Sequence, residues 1–198
     1  MKVIEQSEDK TWTVYEDTAG NRKFKITGIA SYPNILRPDK KDAPTDKDRY
    51  SVNVIFPTDS PAHVGVTKFL AEAKKKMWPK VAAKTTLHDG AEKEGTSGYG
   101  EGVHYIGLAS SIKPQIRDNE MQAITDANDP RVYAGCKVSV LGHCWKSDFK
   151  GNRVSGGLDA VQWIGHGKRL GGSAVKVDDF FASCEAADAP VDEMDPFA

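Results

Sequence analysis

The strongest strand signal in the chain is the stretch Val132-Tyr133-Ala134-Gly135-Cys136-Lys137-Val138-Ser139-Val140-Leu141-Gly142-His143-Cys144-Trp145. Its Val138 and Val140 alternate with neighbours that are on the whole more polar, the pattern of a strand that buries one face. Asp148–Asn152 is rich in turn-forming residues, and an extended segment follows from Arg153 to Ile164. The two segments are predicted to pair as an antiparallel hairpin.

Two shorter strands are predicted near the amino terminus, Thr11–Tyr15 and Phe24–Ile29, with a turn at residues 17–21 between them. They form a second predicted hairpin. Pro33 lacks a backbone N–H, so regular pairing is expected to stop there. The segment Arg37–Arg49 holds five basic residues and is predicted to be a surface loop.

Further strand segments follow this loop. Tyr50–Phe56 places three apolar side chains at alternate positions, which indicates one strongly apolar face. Val103–Ser110 also has strand character, and Lys113–Asp118 is predicted to be an edge or a bend because Pro114 interrupts it. The five glycines of Asp89–Gly102 predict a mobile loop. No Gly-Lys-Ser/Thr closes this loop, which argues against a nucleotide-binding phosphate loop.

One helix is predicted between these strands. Ser60 is a suitable N-cap, Pro61 fits the first turn, and Pro79 is expected to stop the helix after about Trp78. The apolar side chains expected to share its buried face are Val64, Phe69, Leu70, Ala73 and Met77.

Together these elements predict a mainly β fold, an OB-fold-like five-stranded β-barrel with one inserted helix and long loops. Strands and helices do not alternate along the chain, which argues against a parallel α/β sheet. After Leu170 the composition becomes too poor in apolar side chains to offset the entropy of ordering. The predicted division is a folded domain over residues 1–176 and a disordered acidic tail over residues 177–198.

The charge is distributed unevenly between these two parts. The chain has 27 basic and 28 acidic residues, a formal net charge of -1. No Lys or Arg follows Lys176, whereas seven acids do, so residues 1–176 carry 27 bases against 21 acids, a net charge of +6. This asymmetry is typical of a folded unit that binds a polyanion, although solvated domains also acquire such a charge by chance.

Several classes of protein fit the sequence poorly. No apolar run approaches the roughly 20 residues of a membrane helix, and charges occupy the place of a signal peptide, so a cytoplasmic protein is expected. Cys136, Cys144 and Cys184 cannot all pair within the chain and are predicted to be reduced. His143 and Cys144 point to opposite faces of a strand, which argues against a metal site. We expect no cofactor and no metal.

Aromatic rings and cations recur together along the chain. Binding of single strands without sequence preference needs cations for the phosphates and flat rings on which bases stack. Strand aromatics in a small barrel also fill the core, which is the alternative for each ring. Tyr32 and Trp145 are favoured as surface rings because each adjoins a break or a turn. The candidate nucleic-acid-binding residues are Phe24, Lys25, Tyr32, Arg37, Arg49, Tyr50, Tyr105, Lys113, Arg117, Trp145, Lys146, Phe149 and Lys150.

The last residues combine acids with an aromatic ring. An acidic peptide with one apolar anchor suits a hydrophobic pocket rimmed by Arg or Lys on another protein. The alternative is a solubilising end whose phenylalanine has no role. The candidate partner-binding residues of the tail are Asp192, Glu193, Asp195, Pro196 and Phe197.

Several short motifs follow one another across most of residues 24–180. They are Ser31-Tyr32-Pro33-Asn34, Tyr50-Ser51-Val52, Trp78-Pro79, Ser110-Ser111-Ile112-Lys113-Pro114 with Asp118, Val132-Tyr133-Ala134-Gly135-Cys136, Gly157-Leu158-Asp159-Ala160-Val161-Gln162, Leu170-Gly171-Gly172 and Asp178-Asp179-Phe180. In this order they resemble the motifs of phage-encoded single-stranded DNA-binding proteins with an OB fold.

This resemblance implies a barrel that coats single-stranded DNA during phage replication, recombination or repair, in the host cell cytoplasm and without catalysis. It also implies replication or recombination proteins as partners of the tail, and a homo-oligomer is compatible with it. The tail resembles the acidic ends of bacterial single-stranded DNA-binding proteins, which finish in an apolar residue, Pro and Phe. Ala198 departs from that pattern because it moves the terminal carboxylate one residue away from the Phe197 ring.

Three other functions are alternatives to single-stranded DNA binding. An enzyme is disfavoured because the sequence has no His-x-Glu motif with a downstream cysteine pair, no clustered acids for two metals and no nucleophile motif. A phage structural or interaction protein would have no affinity for oligonucleotides. An RNA-binding module stays open because ring stacking discriminates poorly between the two nucleic acids.

Overall fold

The computed structural model describes residues 1–39, 46–148 and 151–171. The predicted tail, Phe149 and Lys150 lie outside the described residues. Within them no helix is long and apolar enough to span a membrane. The described elements are β1 Lys2–Gln6, β2 Trp12–Glu16, β3 Arg22–Asn34, β4 Tyr50–Pro57, α1 Pro61–Met77, β5 Lys84–Thr85, β6 Leu87–Asp89, a 3-10 turn Gly90–Lys93, β7 Val103–Ser110, β8 Gln115–Arg117, β9 Lys137–Ser147 and β10 Arg153–Gly165.

Five strands close into a ring, which confirms the predicted OB-like barrel. β3 pairs with β4, β4 with β7, β10 with β9 and β9 with β3, all antiparallel. β7 and β10 pair in parallel and complete the ring. β5 and β6 fill the gap where β7 and β10 separate, since β5 pairs with β10 and β6 pairs with β7. The second predicted hairpin, β2–β3, is also present.

The core is built on three aromatic rings under helix α1. Trp12 and Phe24 stack with their centroids 5.4 Å apart, and Phe69 meets both rings edge-on at 5.8 and 5.3 Å. Gly65 allows the helix to approach, because a Cβ at this position would lie 2.3 Å from the Trp12 ring. The aromatic cluster therefore fixes the helix against the β2–β3 hairpin.

The predicted helix is confirmed apart from one residue of its buried face. The Ser60 side chain caps the helix by accepting a hydrogen bond from the His63 backbone N–H. Val64, however, is 61% exposed, and Val66 is buried in its place. Positions two apart lie on nearly opposite sides of a helix, so the face that includes Val66, Phe69 and Leu70 excludes Val64.

Pro33 interrupts the regular pairing of β3, as expected, but it does not end the strand. The strand continues to Asn34, with an irregularity in its register against β4 between Ser31 and Asn34. Tyr32 has a φ of +47° within this bulge. Because residues 32 and 33 are skipped by the ladder, the missing N–H of Pro33 costs no strand hydrogen bond.

Strand β9 begins at Lys137, five residues later than predicted from Val132. Gly135 has a φ of +110°, and a Cβ there would lie 2.0 Å from the carbonyl oxygen of Lys168. The Cys136 N–H donates to Tyr133 O in a turn. The apolar residues before Lys137 thus belong to a turn that packs closely against the chain after β10.

Candidate nucleic-acid interface

The outer face of β4 and β7 is lined by small side chains. Their register sets Ser51 opposite Ala109 and Asn53 opposite Gly107. On the other edge of β7, Ala109 pairs with Gly157 of β10. We call these five residues the small-residue floor. Since none of the four residues on β4 and β7 carries a large side chain, a flat ligand can approach the backbone of these two strands.

Three tyrosine rings gather around one lysine beside this floor. Lys93 Nζ lies 5.1 Å from the ring centroid of Tyr32, 4.9 Å from that of Tyr99 and 4.7 Å from that of Tyr105. An ammonium group within 6 Å of a ring face is attracted to it. Asn53 Nδ2 donates to Tyr99 Oη over 3.1 Å and ties the rings to the floor. We call Tyr32, Lys93, Tyr99 and Tyr105 the tyrosine cluster.

The three rings differ in how much surface they offer. Tyr105 is only 6% exposed and stacks on His88 at 5.0 Å. Burial raises the pKa of its hydroxyl, so this phenol stays neutral. Tyr99 is half-buried against the Tyr105 ring, whereas Tyr32 is 52% exposed. Tyr32 is therefore the ring of this cluster most available for stacking.

Cations border the floor at the start of β4. Tyr50 pairs with Ser110, which places Arg49 beside the turn that carries Lys113. Both Arg49 and Lys113 are exposed. Arg37 is also exposed and is hydrogen-bonded to Asn128.

The opposite end of the floor carries tryptophan and further cations. Trp145 of β9 is 47% exposed and pairs with Ser155 of β10. Lys146 Nζ lies 4.0 Å from the ring centroid of Trp78, at the end of helix α1. Phe149 and Lys150 follow in the β9–β10 turn, outside the described residues. Trp145 and Lys146 thus place a ring and a cation at the end of β9, just before this turn.

A carboxylate marks a third border of the floor. His143 lies over Gly157, since a Cβ on Gly157 would meet the imidazole at 2.3 Å. His143 Nδ1 and Lys23 Nζ each lie 3.1 Å from the Asp159 carboxylate. Burial raises the pKa of Asp159, but these hydrogen bonds and charges outweigh it and lower the pKa overall. The ionised carboxylate pairs with Lys23, so this lysine is engaged in an ion pair at this border of the floor.

Phe24 is corrected from a candidate contact to a core residue. Its ring is 0% exposed because β3 turns it inward against Trp12 and Phe69. Tyr105 is likewise mostly buried, and it contributes to the tyrosine cluster by packing against Tyr99. The candidates Lys25 and Arg117 lie elsewhere, in a largely apolar groove of about 380 Å³ that Leu141 also lines. This groove is on the outer face of β3, β9 and β10.

Lys93 and Tyr99 were not predicted from the sequence as site residues. Both belong to the glycine-rich segment, where no periodic pattern places a side chain on a face. The sequence contained one indication of a role for Tyr99, which is the only aromatic residue within 89–102. Its pairing with Asn53 joins residues 46 positions apart and is not readable from local sequence.

Comparison with known proteins identifies a family for this chain. A family model described as the ssDNA-binding protein of Enterobacter phage Enc34 matches residues 26–191. The chain belongs to this family. The resemblance found in the sequence is thereby confirmed. No curated protein matches the chain.

Solved structures from two phages share this fold. The single-stranded DNA-binding protein of bacteriophage Enc34 in complex with ssDNA is 22% identical, with a TM-score of 0.69 over 86% of this chain and 99% of that one. A C-terminal truncation of that protein gives the same identity and TM-score over 85% and 98%. The single-stranded DNA-binding protein gp2.5 of bacteriophage T7 is 14% identical, with a TM-score of 0.60 over 86% and 100%.

Proposed function

We propose that this protein binds single-stranded DNA, largely without sequence preference, on the outer face of β4 and β7. The observation that carries the proposal is the exposed Tyr32 ring beside the small-residue floor. OB folds bind oligonucleotides on the face of their second and third strands and on the loops after the first and fourth strands. In this barrel those parts are β4 and β7, the segment 35–49 and the β9–β10 turn.

Base stacking and phosphate contacts both contribute to the binding energy. Bases stack on Tyr32 at one side of the floor and on Trp145 at the other, since every base has an aromatic face. Phosphates are drawn to Arg37, Arg49 and Lys113 near the start of β4 and to Lys146 near the β9–β10 turn.

The cellular role follows from this binding mode. A protein that coats single strands protects them during phage DNA replication, recombination or repair in the host cytoplasm. This role needs no catalytic group. Residues 1–176 form the binding domain in this proposal, and residues 177–198 form a disordered acidic tail. Asp192, Glu193, Asp195, Pro196 and Phe197 recruit replication or recombination proteins, because a ring flanked by acids suits a basic-rimmed pocket.

A competition titration tests this function. The full chain is expected to bind a mixed-sequence single strand more tightly than the matching duplex. Four neutralised phosphates at a slope of about 0.7 each predict a roughly 50-fold loss of affinity between 50 and 200 mM salt. Fluorescence anisotropy at several salt concentrations measures both quantities. Equal affinity for the two DNA forms at low salt would rule the proposal out.

A further inference from the structure

Seven cations surround the carboxyl-terminal end of helix α1. Within residues 1–39, 46–148 and 151–171, none of the seven makes an ion pair. We call them the lysine end, and they are Lys74, Lys75, Lys76, Lys80, Lys84, Lys146 and Arg153.

Compensation of the helix dipole explains only three of these seven cations. Lysines in the last helical turn compensate the negative end of the helix dipole, which accounts for Lys74, Lys75 and Lys76. Lys80 follows the helix, and Lys84 lies on β5. Like charges that gather from separate elements repel one another, and an anionic ligand would relieve this repulsion.

Trp78 holds the separate elements together. Its Nε1 donates to the backbone oxygen of Arg153 over 3.0 Å, and Lys146 Nζ lies 4.0 Å from its ring centroid. Lys84 pairs with Arg153 in the β5–β10 ladder. The helix end, β5, β9 and β10 therefore meet at one corner of the barrel.

A path of small side chains joins this corner to the tyrosine cluster. The Gly107 N–H donates to Thr86 O over 3.2 Å, and the next strand position across the sheet is Ser155 of β10, opposite Trp145. From Asn53 to Trp145 the path crosses four strand spacings of about 4.8 Å, or roughly 19 Å. No large side chain separates the two ends along these positions.

We propose that the lysine end binds the phosphates of the DNA strand as it passes beyond Trp145, which extends the binding site along helix α1. The proposal rests on the function proposed above and adds a length dependence to it. A short oligonucleotide occupies the small-residue floor and extends no further than Lys146. A longer one also reaches the other six cations of the lysine end and gains further phosphate contacts.

The test compares a charge-removing variant with a matched control on two lengths of DNA. Lys75→Gln/Lys80→Gln removes two exposed cations of the lysine end. Lys2→Gln/Lys10→Asn removes two exposed cations near the amino terminus, with asparagine chosen because residue 10 has a φ of 58°. Each full-length protein is titrated with oligonucleotides of about 5 and about 16 nucleotides, lengths that span the range of OB-fold site sizes.

For the longer oligonucleotide at 0.1 M salt, the Lys75→Gln/Lys80→Gln protein is expected to lose up to roughly 25-fold in affinity, and its salt slope should fall by about 1.4. The shorter oligonucleotide and the control protein should show no such change. An equal effect on both lengths, or none on the longer one, would overturn this inference while leaving the proposed function standing. Failure of the unaltered protein to bind either length would overturn both.

Discussion

Replacement of Phe24 by alanine is expected to lower the free energy of unfolding by about 3–5 kcal/mol. The ring is fully buried, stacks on Trp12 and meets Phe69 edge-on. Its removal leaves a cavity between the β2–β3 hairpin and helix α1, and the close approach at Gly65 limits how far the helix can move to fill it. This loss is a large share of the 5–15 kcal/mol that stabilises a typical domain.

Urea denaturation followed by circular dichroism measures this loss. Phe24→Leu serves as the graded variant, because it keeps most of the buried volume and should cost clearly less than Phe24→Ala. A Phe24→Ala protein with unchanged stability and weakened DNA binding would contradict the core assignment. That result would restore Phe24 as a contact.

Replacement of Tyr32 by alanine is expected to weaken binding of single-stranded DNA by roughly 5- to 150-fold, the equivalent of one stacked base at about 1–3 kcal/mol. The ring is more than half exposed in the β3 bulge and contributes little to the core. Stability should therefore change little, in contrast to Phe24→Ala.

Two further variants sharpen the Tyr32 experiment. Tyr32→Phe keeps the stacking face and should retain most of the affinity. Tyr15→Ala removes a ring that lines the apolar groove on the outer face of β3, β9 and β10, and should leave affinity unchanged. Anisotropy titrations at fixed salt compare the three proteins. Equal losses for Tyr32→Ala and Tyr15→Ala would show that the stacking surface is elsewhere.

The barrel was predictable because its strands and helix carry periodic patterns. Tyr50–Phe56 places three apolar side chains at alternate positions, and Val103–Ser110 has strand character. Both predicted spans agree with β4 and β7 to within one residue. The predicted boundaries of β9 and β3 were wrong because a glycine or a bulge overrides the hydrophobic pattern, at Gly135 and Pro33 respectively. The contacts that decide those positions come from distant parts of the chain, such as the Lys168 carbonyl beside Gly135.

The candidate interface was predictable only in part. Tyr32 and Trp145 were favoured because each adjoins a break or a turn, and both are exposed. Phe24 shows the limit of this reasoning, since an aromatic residue on a strand faces the core or solvent according to a register that local sequence does not fix. Lys93 and Tyr99 reach the interface through long-range packing of a segment without periodicity.

Hydrogen–deuterium exchange of the full chain, with and without a single-stranded oligonucleotide, tests most directly where the strand binds. Exchange is expected to slow in peptides that cover the β3 bulge, residues 86–107 and the Trp145 end of β9. Little change is expected around the groove that contains Lys25 and Arg117. Slower exchange at that groove, with none at the tyrosine cluster, would contradict the account.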